Sequence, residues 1–396
     1  MAALLLVAAA LRPSITSVGP VIDQVGDALA LSNTLLGLLA ALPLLAFSAM
    51  SVLVAWPTRR YGIDRVVAAS LLLMTVALMI RVLPAPGGIW VGTVLVAVAV
   101  AVGNVLVPAV VKRDHSGSLA ATTGLYTVAL TASAALASGV SYPLSQLPGA
   151  SWRLSLGVWV LFPVVAALAW RARSKNLSGS TSLPNPGVVA PQPAGGPIWS
   201  STLAWAVTAF MGLQSLNFYV LVTWLPTIEV ATGTAPSVAG WHLFLMQMLG
   251  MMAGFATSRA LARTTDQRLF GVLVTAPILV ALPGLALVPS MALLWVLATG
   301  VSTGASFVLA LSMLGLRSSS TSATVQLSGM AQSVGYLLAA AGPVVSGWLH
   351  DRTGDWRSAL LLMTGLAVAQ CGAVLVAGRA GHWDAIRDED GVDCVR

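Results

Sequence analysis

The sequence predicts an all-α membrane protein whose twelve transmembrane helices form two pseudo-symmetric six-helix bundles. Three observations carry that prediction. First, of 396 residues 57% are hydrophobic and only 8% charged, with a mean hydropathy of +0.87; a soluble domain carries about 25% charge. Second, the apolar residues fall in runs long enough to cross a bilayer, which takes about 20 residues. Third, landmarks in the first half recur in the second at a nearly constant offset.

The runs lie at about 1–25, 33–56, 65–83, 87–111, 118–142, 152–171, 199–226, 237–260, 269–288, 291–314, 323–349 and 356–378. They must be helices, because lipid offers the backbone no hydrogen-bond partners. The connections sort by charge. One face carries Arg59, Arg60, Arg65, Lys112, Arg113, Arg171, Arg173, Lys175, Arg259, Arg263, Arg268, Arg317, Arg379, Arg387 and Arg396, which is 15 of the 20 basic residues. The opposite face keeps Arg153, Arg352 and Arg357; Arg12 and Arg81 lie within spans or at their edges. The positive-inside rule places the basic face and both termini in the cytoplasm. The net charge of +7 therefore reads as topology, and no nucleic-acid partner is expected.

The longest connection, RARSKNLSGSTSLPNPGVVAPQPAGGPIW at 171–199, is rich in Ser, Pro and Gly and reads as a flexible cytoplasmic linker. It divides the chain into an N-terminal bundle (1–174), the linker (175–198), a C-terminal bundle (199–378) and a cytoplasmic tail (379–396). The halves repeat. Trp152 and Trp356 open spans six and twelve, 204 residues apart, while Pro20 and Pro226 close spans one and seven, 206 apart. Such agreement marks an internal duplication. Related six-helix halves place a substrate site near the midplane.

Arg12 stands near the middle of the first span. A guanidinium at that depth costs at least about 2.5–3.5 kcal/mol on insertion scales. The nearest acid, Asp23, is about three turns away. Either Arg12 receives an anionic or polar ligand, or it snorkels or bonds backbone carbonyls. On the repeat offset its counterpart is about Asn217. The other intramembrane polar residues form a set: Asn104 in span four, Tyr126 in span five, Gln214, Asn217 and Tyr219 in span seven, Gln247 in span eight, and Gln332 with Tyr336 in span eleven. Phe218 adds an aromatic wall. We take these, with Arg12, as candidate substrate-binding residues. Their alternative is interhelical hydrogen bonding, worth about 0.6 kcal/mol per contact. Asn217 is assigned to the cavity because of its relation to Arg12.

Several chemistries lack their residues. There is no phosphate-binding glycine loop, no His/Cys/Glu cluster with metal spacing and no Ser/His/Asp set with a common locus, so neither cofactor, metal nor enzymatic activity is expected. Cys371 and Cys394 give no disulfide framework. No Asp or Glu lies mid-span. Asp23, Asp27 and Glu229 fall at outer helix ends, so a carboxylate proton relay is not visible. His242, the one candidate for proton coupling by its ordinary titration range, sits near an outer end and reads as an interfacial histidine.

Six plus six spans, the basic loop WPTRRYGIDR (Trp56–Arg65) and the central linker resemble the major facilitator superfamily. The finer resemblance is to its cyanate/nitroimidazole (CynX/NimT) transporter family. It rests on LRPSITSVGP (Leu11–Pro20), GNVLVPAVVKRD (Gly103–Asp114), TGLYTVAL (Thr123–Leu130), GLQSLNFYVLVTWLP (Gly212–Pro226) and SGMAQSVGYLLAAAGPVVSGWLHD (Ser328–Asp351). The resemblance implies a monomeric carrier of a small anionic or polar solute in the bacterial inner membrane, working by alternating access. It also implies that Arg59, Arg60, Asp64 and Arg65, in the loop that stands for the superfamily's Gly-Asp-Arg signature, act in gating. A multidrug efflux carrier of the same fold would carry a greasier pocket and a mid-span carboxylate. A non-transporting membrane sensor would carry a sizeable soluble domain.

Overall fold

The computed structural model describes the chain except residues 86, 116–117, 178–197, 262–263, 265 and 385–396. The proposed linker therefore lies largely outside the described residues, as does most of the tail. The described residues form helices and no strand: α1 (Ala2–Leu11), α2 (Pro13–Thr16), α3 (Ile22–Leu29), α4 (Asn33–Leu53), α5 (Ala55–Tyr61), α6 (Ile63–Val82), α7 (Gly88–Asp114), α8 (Leu119–Ser145), α9 (Trp152–Gly157), α10 (Leu161–Leu177), α11 (Thr202–Ala231), α12 (Pro236–Leu261), α13 (Arg268–Leu287), α14 (Ala292–Leu316), α15 (Thr321–Thr353) and α16 (Arg357–Ala377).

Among the described residues, eleven helical stretches are long and apolar enough to cross a membrane, α1 to α3 counting as one, Ala2–Leu29. The remaining span, eleventh in chain order, is α15, 33 residues long. Its hydropathy is diluted by Ser322, Thr324, Gln326 and Ser328 in its first turns and by His350, Asp351 and Arg352 in its last.

By packing, the chain divides into two compact units. One comprises Met1–Pro186, Tyr219–Met248 and Ala340–Trp356; the other comprises Gly187–Phe218, Leu249–Ala339 and Arg357–Arg396. Helices α11, α12 and α15 thus each contribute to both. In the first unit, α4 and α15 meet backbone to backbone. A Cβ on Gly37 would lie 2.3 Å from the Pro343 carbonyl, and one on Gly347 would lie 2.3 Å from that of Asn33. Trp224 of α11 is fully buried beside them and donates to the Pro343 carbonyl at 3.0 Å. In the second unit, α12 and α14 cross at Gly250 and Gly304, where a Cβ on Gly304 would sit 2.0 Å from the Gly250 oxygen. Small residues allow such close approach where lipid removes the hydrophobic drive between helices. The second unit's apolar core includes Phe210, Leu309, Met313, Leu327 and Val374.

Candidate functional site

The site is built on an interruption in the first span. Pro13 and Pro20 supply no N–H, and the chain between α1 and α3 is a succession of short turns. A bilayer-spanning backbone must have its freed carbonyls satisfied from elsewhere. The Val18 N–H bonds the Ile15 carbonyl at 3.3 Å, which leaves the Ser14 carbonyl free. Arg81 Nη1 donates to it at 2.6 Å. Pro20 cannot serve the Thr16 carbonyl; Ser138 Oγ of α8 donates to it at 3.2 Å. Thr16 Oγ1 in turn donates to the Ala134 carbonyl at 2.8 Å, so α8 is fixed along the interruption.

Arg12 lies at the first break, closing α1. Its side chain is half-buried. Nη1 donates to Tyr219 Oη at 3.3 Å, and Nε is buried with no acceptor from the chain. Among the described residues it makes no ion pair. The guanidinium therefore keeps donors to spare. Gly103 of α7 sits against Leu11, its Cβ position 2.4 Å from a Leu11 methyl, and the neighbouring Asn104 is half-buried.

Close by, Arg81, Ser14, Thr93, Tyr219 and Thr223 line a narrow cavity of about 20 Å³, room for about one water. Arg81 is 2% exposed. Its sequence position at the edge of a span gave no hint of this. Burial follows from its bond to the interrupted first span, a partner 67 residues away.

Of the other expected residues, Tyr219 is buried beside Arg12. Gln247 is buried and donates to Ser138 Oγ at 2.8 Å. Tyr126 is half-buried on α8. In the second unit Asn217 is fully buried, and its Nδ2 donates to Gln370 Oε1 at 3.2 Å. Gln370 Nε2 reaches Thr275 and Ser306 hydroxyls, each at 3.4 Å. This is the interhelical alternative, with Gln370 a member that the sequence reading did not single out. Gln214 is also buried and donates to Ser215 Oγ at 2.7 Å. Phe218, Gln332 and Tyr336 are half-buried.

In the basic loop, Asp64 accepts both terminal nitrogens of Arg113, at 2.7 and 3.0 Å. Arg113 Nε also donates to Asp114 at 2.6 Å, and Arg173 pairs with Asp114. Trp170 Nε1 donates to the Asp64 carbonyl at 3.0 Å, with the Arg173 guanidinium 4.3 Å above its ring. Arg59, Arg60 and Arg65 are exposed. Gly62 makes the turn into α6 with φ 83°, a conformation that favours glycine.

Glu229 stands near the end of α11, where the sequence reading put it, but is fully buried there; its Oε1 lies 2.8 Å from His242 Nδ1, and its Oε2 has no partner. Position in the span suggested solvent at this end; packing against neighbouring helices removes it.

Among the described residues, eleven apolar spans with the long α15 between the last two define a multi-pass membrane protein, and the relatives that follow make it a transporter of small solutes. The Major Facilitator Superfamily model matches residues 4–343. The chain is 38% identical over 384 residues to the 2-nitroimidazole transporter of Escherichia coli (strain K12), covering 96% of this chain and 95% of that one. It is 28% identical over 375 residues to the cyanate transport protein CynX of the same organism, covering 92% and 94%. In structure it is similar to a bacterial homolog of the human lysosomal transporter Spinster, inward-facing and occupied, with TM-score 0.74, 15% identity and 96% of each chain covered. It is also similar to a D-xylose–proton symporter, with TM-score 0.74, 11% identity and 96% and 98% covered; at these identities the likeness shows the fold alone. The chain belongs to the Major Facilitator Superfamily, and within it to the CynX/NimT family.

Proposed function

We propose that this protein carries a small anionic or strongly polar solute across the bacterial inner membrane by alternating access, with Arg12 as the group that recognises it. The observation that carries the reading is the half-buried guanidinium that spends one donor on Tyr219 and leaves Nε without an acceptor. An intramembrane charge without an ionic partner is held at a cost that a ligand of opposite charge offsets. The relatives named for 2-nitroimidazole and cyanate favour a small planar solute, which the flat fork of an arginine suits. Tyr219, Asn104 and Tyr126 supply further hydrogen bonds and shape from the same unit. Phe218, Gln214, Asn217, Gln332 and Tyr336 of the second unit, and Gln247 of the first, are the positions to scan next. The single chain is the working unit, the basic loops and both termini face the cytoplasm, and Arg59, Arg60, Asp64 and Arg65 act in gating around the Asp64–Arg113 pair.

The test is binding and melting measured on the same purified variants, with 2-nitroimidazole and cyanate as probes. Ligand binding raises the melting temperature by mass action. Arg12→Gln should fold at least as well as the wild type and weaken binding of the preferred probe by about 2–5 kcal/mol. Arg12→Lys should recover only part of that, because an ammonium is a point charge. Normal probe binding by Arg12→Gln removes Arg12 from the site.

A further inference from the structure

We propose that Glu229 and His242 form a proton-binding site that couples proton uptake to closure of the end of the protein opposite the basic loops. The geometry is as follows. Glu229 stands on α11 and is fully buried; Oε1 meets His242 Nδ1 at 2.8 Å, and Oε2 has no donor from the chain. His242 on α12 keeps 13% of its side chain exposed, so it links the buried carboxyl to the surface.

The pair lies in a layer packed against the first span and α8. A Cβ on Gly19 would lie 2.2 Å from the Val222 carbonyl, and one on Gly240 would lie 3.2 Å from that of Ser138. Trp241, beside His242, covers Gly139 at 2.9 Å from its Cβ position. Thr227, half a turn before Glu229, donates to Asp23 at 2.9 Å. The pair is thus buried by contacts that must part if this end opens.

A buried carboxylate with one oxygen unserved is costly; a net-neutral pair is not. While this end is closed the pair holds one exchangeable proton, on Glu229 Oε1 or on His242 Nδ1. Deprotonation leaves a bare carboxylate that needs water on Oε2. Water reaches it when the layer separates. The proton then leaves through the imidazole to solvent, and the carboxylate stays hydrated. The closed arrangement binds the proton more tightly, so by linkage the proton favours closure. The other charged or titratable groups among the described residues at this end of the unit are Asp23 and Asp27 on α3, Arg81 in the last turn of α6, Tyr142 on α8, Arg153 on α9, His350, Asp351 and Arg352 on α15, and Asp355 just after it. The described bonds of the Glu229 carboxylate include none of them.

The experiment uses the full chain in nanodiscs with Cys371→Ser and Cys394→Ser, carrying spin labels at Leu147→Cys and Thr232→Cys, both exposed positions of the first unit. Electron–electron distance distributions are recorded between about pH 5 and about pH 8, the range a histidine spans. The wild-type pair should show the short distance at the acid end and gain a longer component at the alkaline end. Glu229→Gln, a fixed mimic of the protonated carboxyl, should lose the response and stay short throughout. His242→Phe should lose the wild-type midpoint, because the carboxyl loses the partner that Oε1 meets at 2.8 Å. A wild type without a pH response overturns the proposal even if neither variant folds. So does a Glu229→Gln protein that responds like the wild type. The readout needs no transported solute, so its failure is distinguishable from failure of the Arg12 reading.

Discussion

Asp351 offers the sharpest arithmetic. Its carboxylate caps α4 from another helix, accepting from the Asn33 N–H at 3.1 Å, Asn33 Nδ2 at 2.9 Å, the Thr34 N–H at 2.8 Å and Thr34 Oγ1 at 2.6 Å. Ser32 takes the Leu35 N–H at 3.4 Å, so the opening turn of α4 is served jointly by its own N-cap and by α15. Substituting a capping side chain by Ala costs about 0.5–2 kcal/mol, and an exposed anion at a helix N-terminus contributes about 0.3–1 kcal/mol. Asp351→Ala should therefore weaken this junction by about 1–2 kcal/mol, or about 5- to 30-fold in its opening equilibrium. Hydrogen-exchange mass spectrometry on a peptide covering 32–40 reads that factor as lost protection. Asp351→Asn, which keeps one acceptor, should lose less. Burial pushes the Asp351 carboxyl up, but the bonds from Thr34 and Asn33 outweigh it and hold it below its ordinary 3.8. Since the folded value is depressed, the stabilisation is fully present above the ordinary value and is lost as pH falls through the depressed one. Protection at α4 should thus be flat between about pH 5 and 8, the window assigned to Glu229 and His242, and fall only in strong acid. Unchanged protection in Asp351→Ala would refute the capping argument.

Two further substitutions test the packing. Gly304→Ala forces a Cβ to 2.0 Å from the Gly250 carbonyl, and backbone cannot yield as a side-chain tip can. It should lower stability by about 1–3 kcal/mol, read as a lower melting temperature of the purified protein. Arg81→Leu leaves the Ser14 carbonyl with no donor, a penalty of about 1–3 kcal/mol. It should depress melting without the selective loss of probe binding expected of Arg12→Gln; a normal melting temperature would mean that water or another group serves Ser14.

The bilayer made the fold legible. Lipid permits few structures, and the apolar runs and basic loops record them directly. Arg12 was legible for the same reason, as a charge where charge is expensive. What the sequence could not supply was the partner. Arg81 reads as interfacial until the interrupted first span presents Ser14 to it. Asn217 looks like a cavity residue from its repeat position, yet its acceptor is Gln370, 153 residues on. Glu229 and His242 each read as helix-end residues. Only the packing of α11 and α12 on the first span and α8 shows that Glu229 is buried there with His242 against it.

The duplication itself shows which part of a partner set is free to change. Arg113 at the end of α7 and Arg317 just after α14 are 204 residues apart. Each reaches, inside its own unit, the start of the third span and the end of the sixth span of its half. Arg113 finds Asp64 and, through Asp114, Arg173. Arg317 finds Gln267, the Ala377 carbonyl at 2.7 Å and the Gly378 carbonyl at 3.1 Å. The first arginine is held by carboxylates in a half-exposed network. The second is 3% exposed, and burial holds its guanidinium below its usual value against the opposing charge of Asp266. An arginine can bear that environment because the C-terminus of α16 presents carbonyls at the negative end of a helix dipole. Position has persisted across the repeat while acids have been exchanged for backbone. The first cluster should therefore respond to ionic strength, which screens exposed charge pairs, and the second should not.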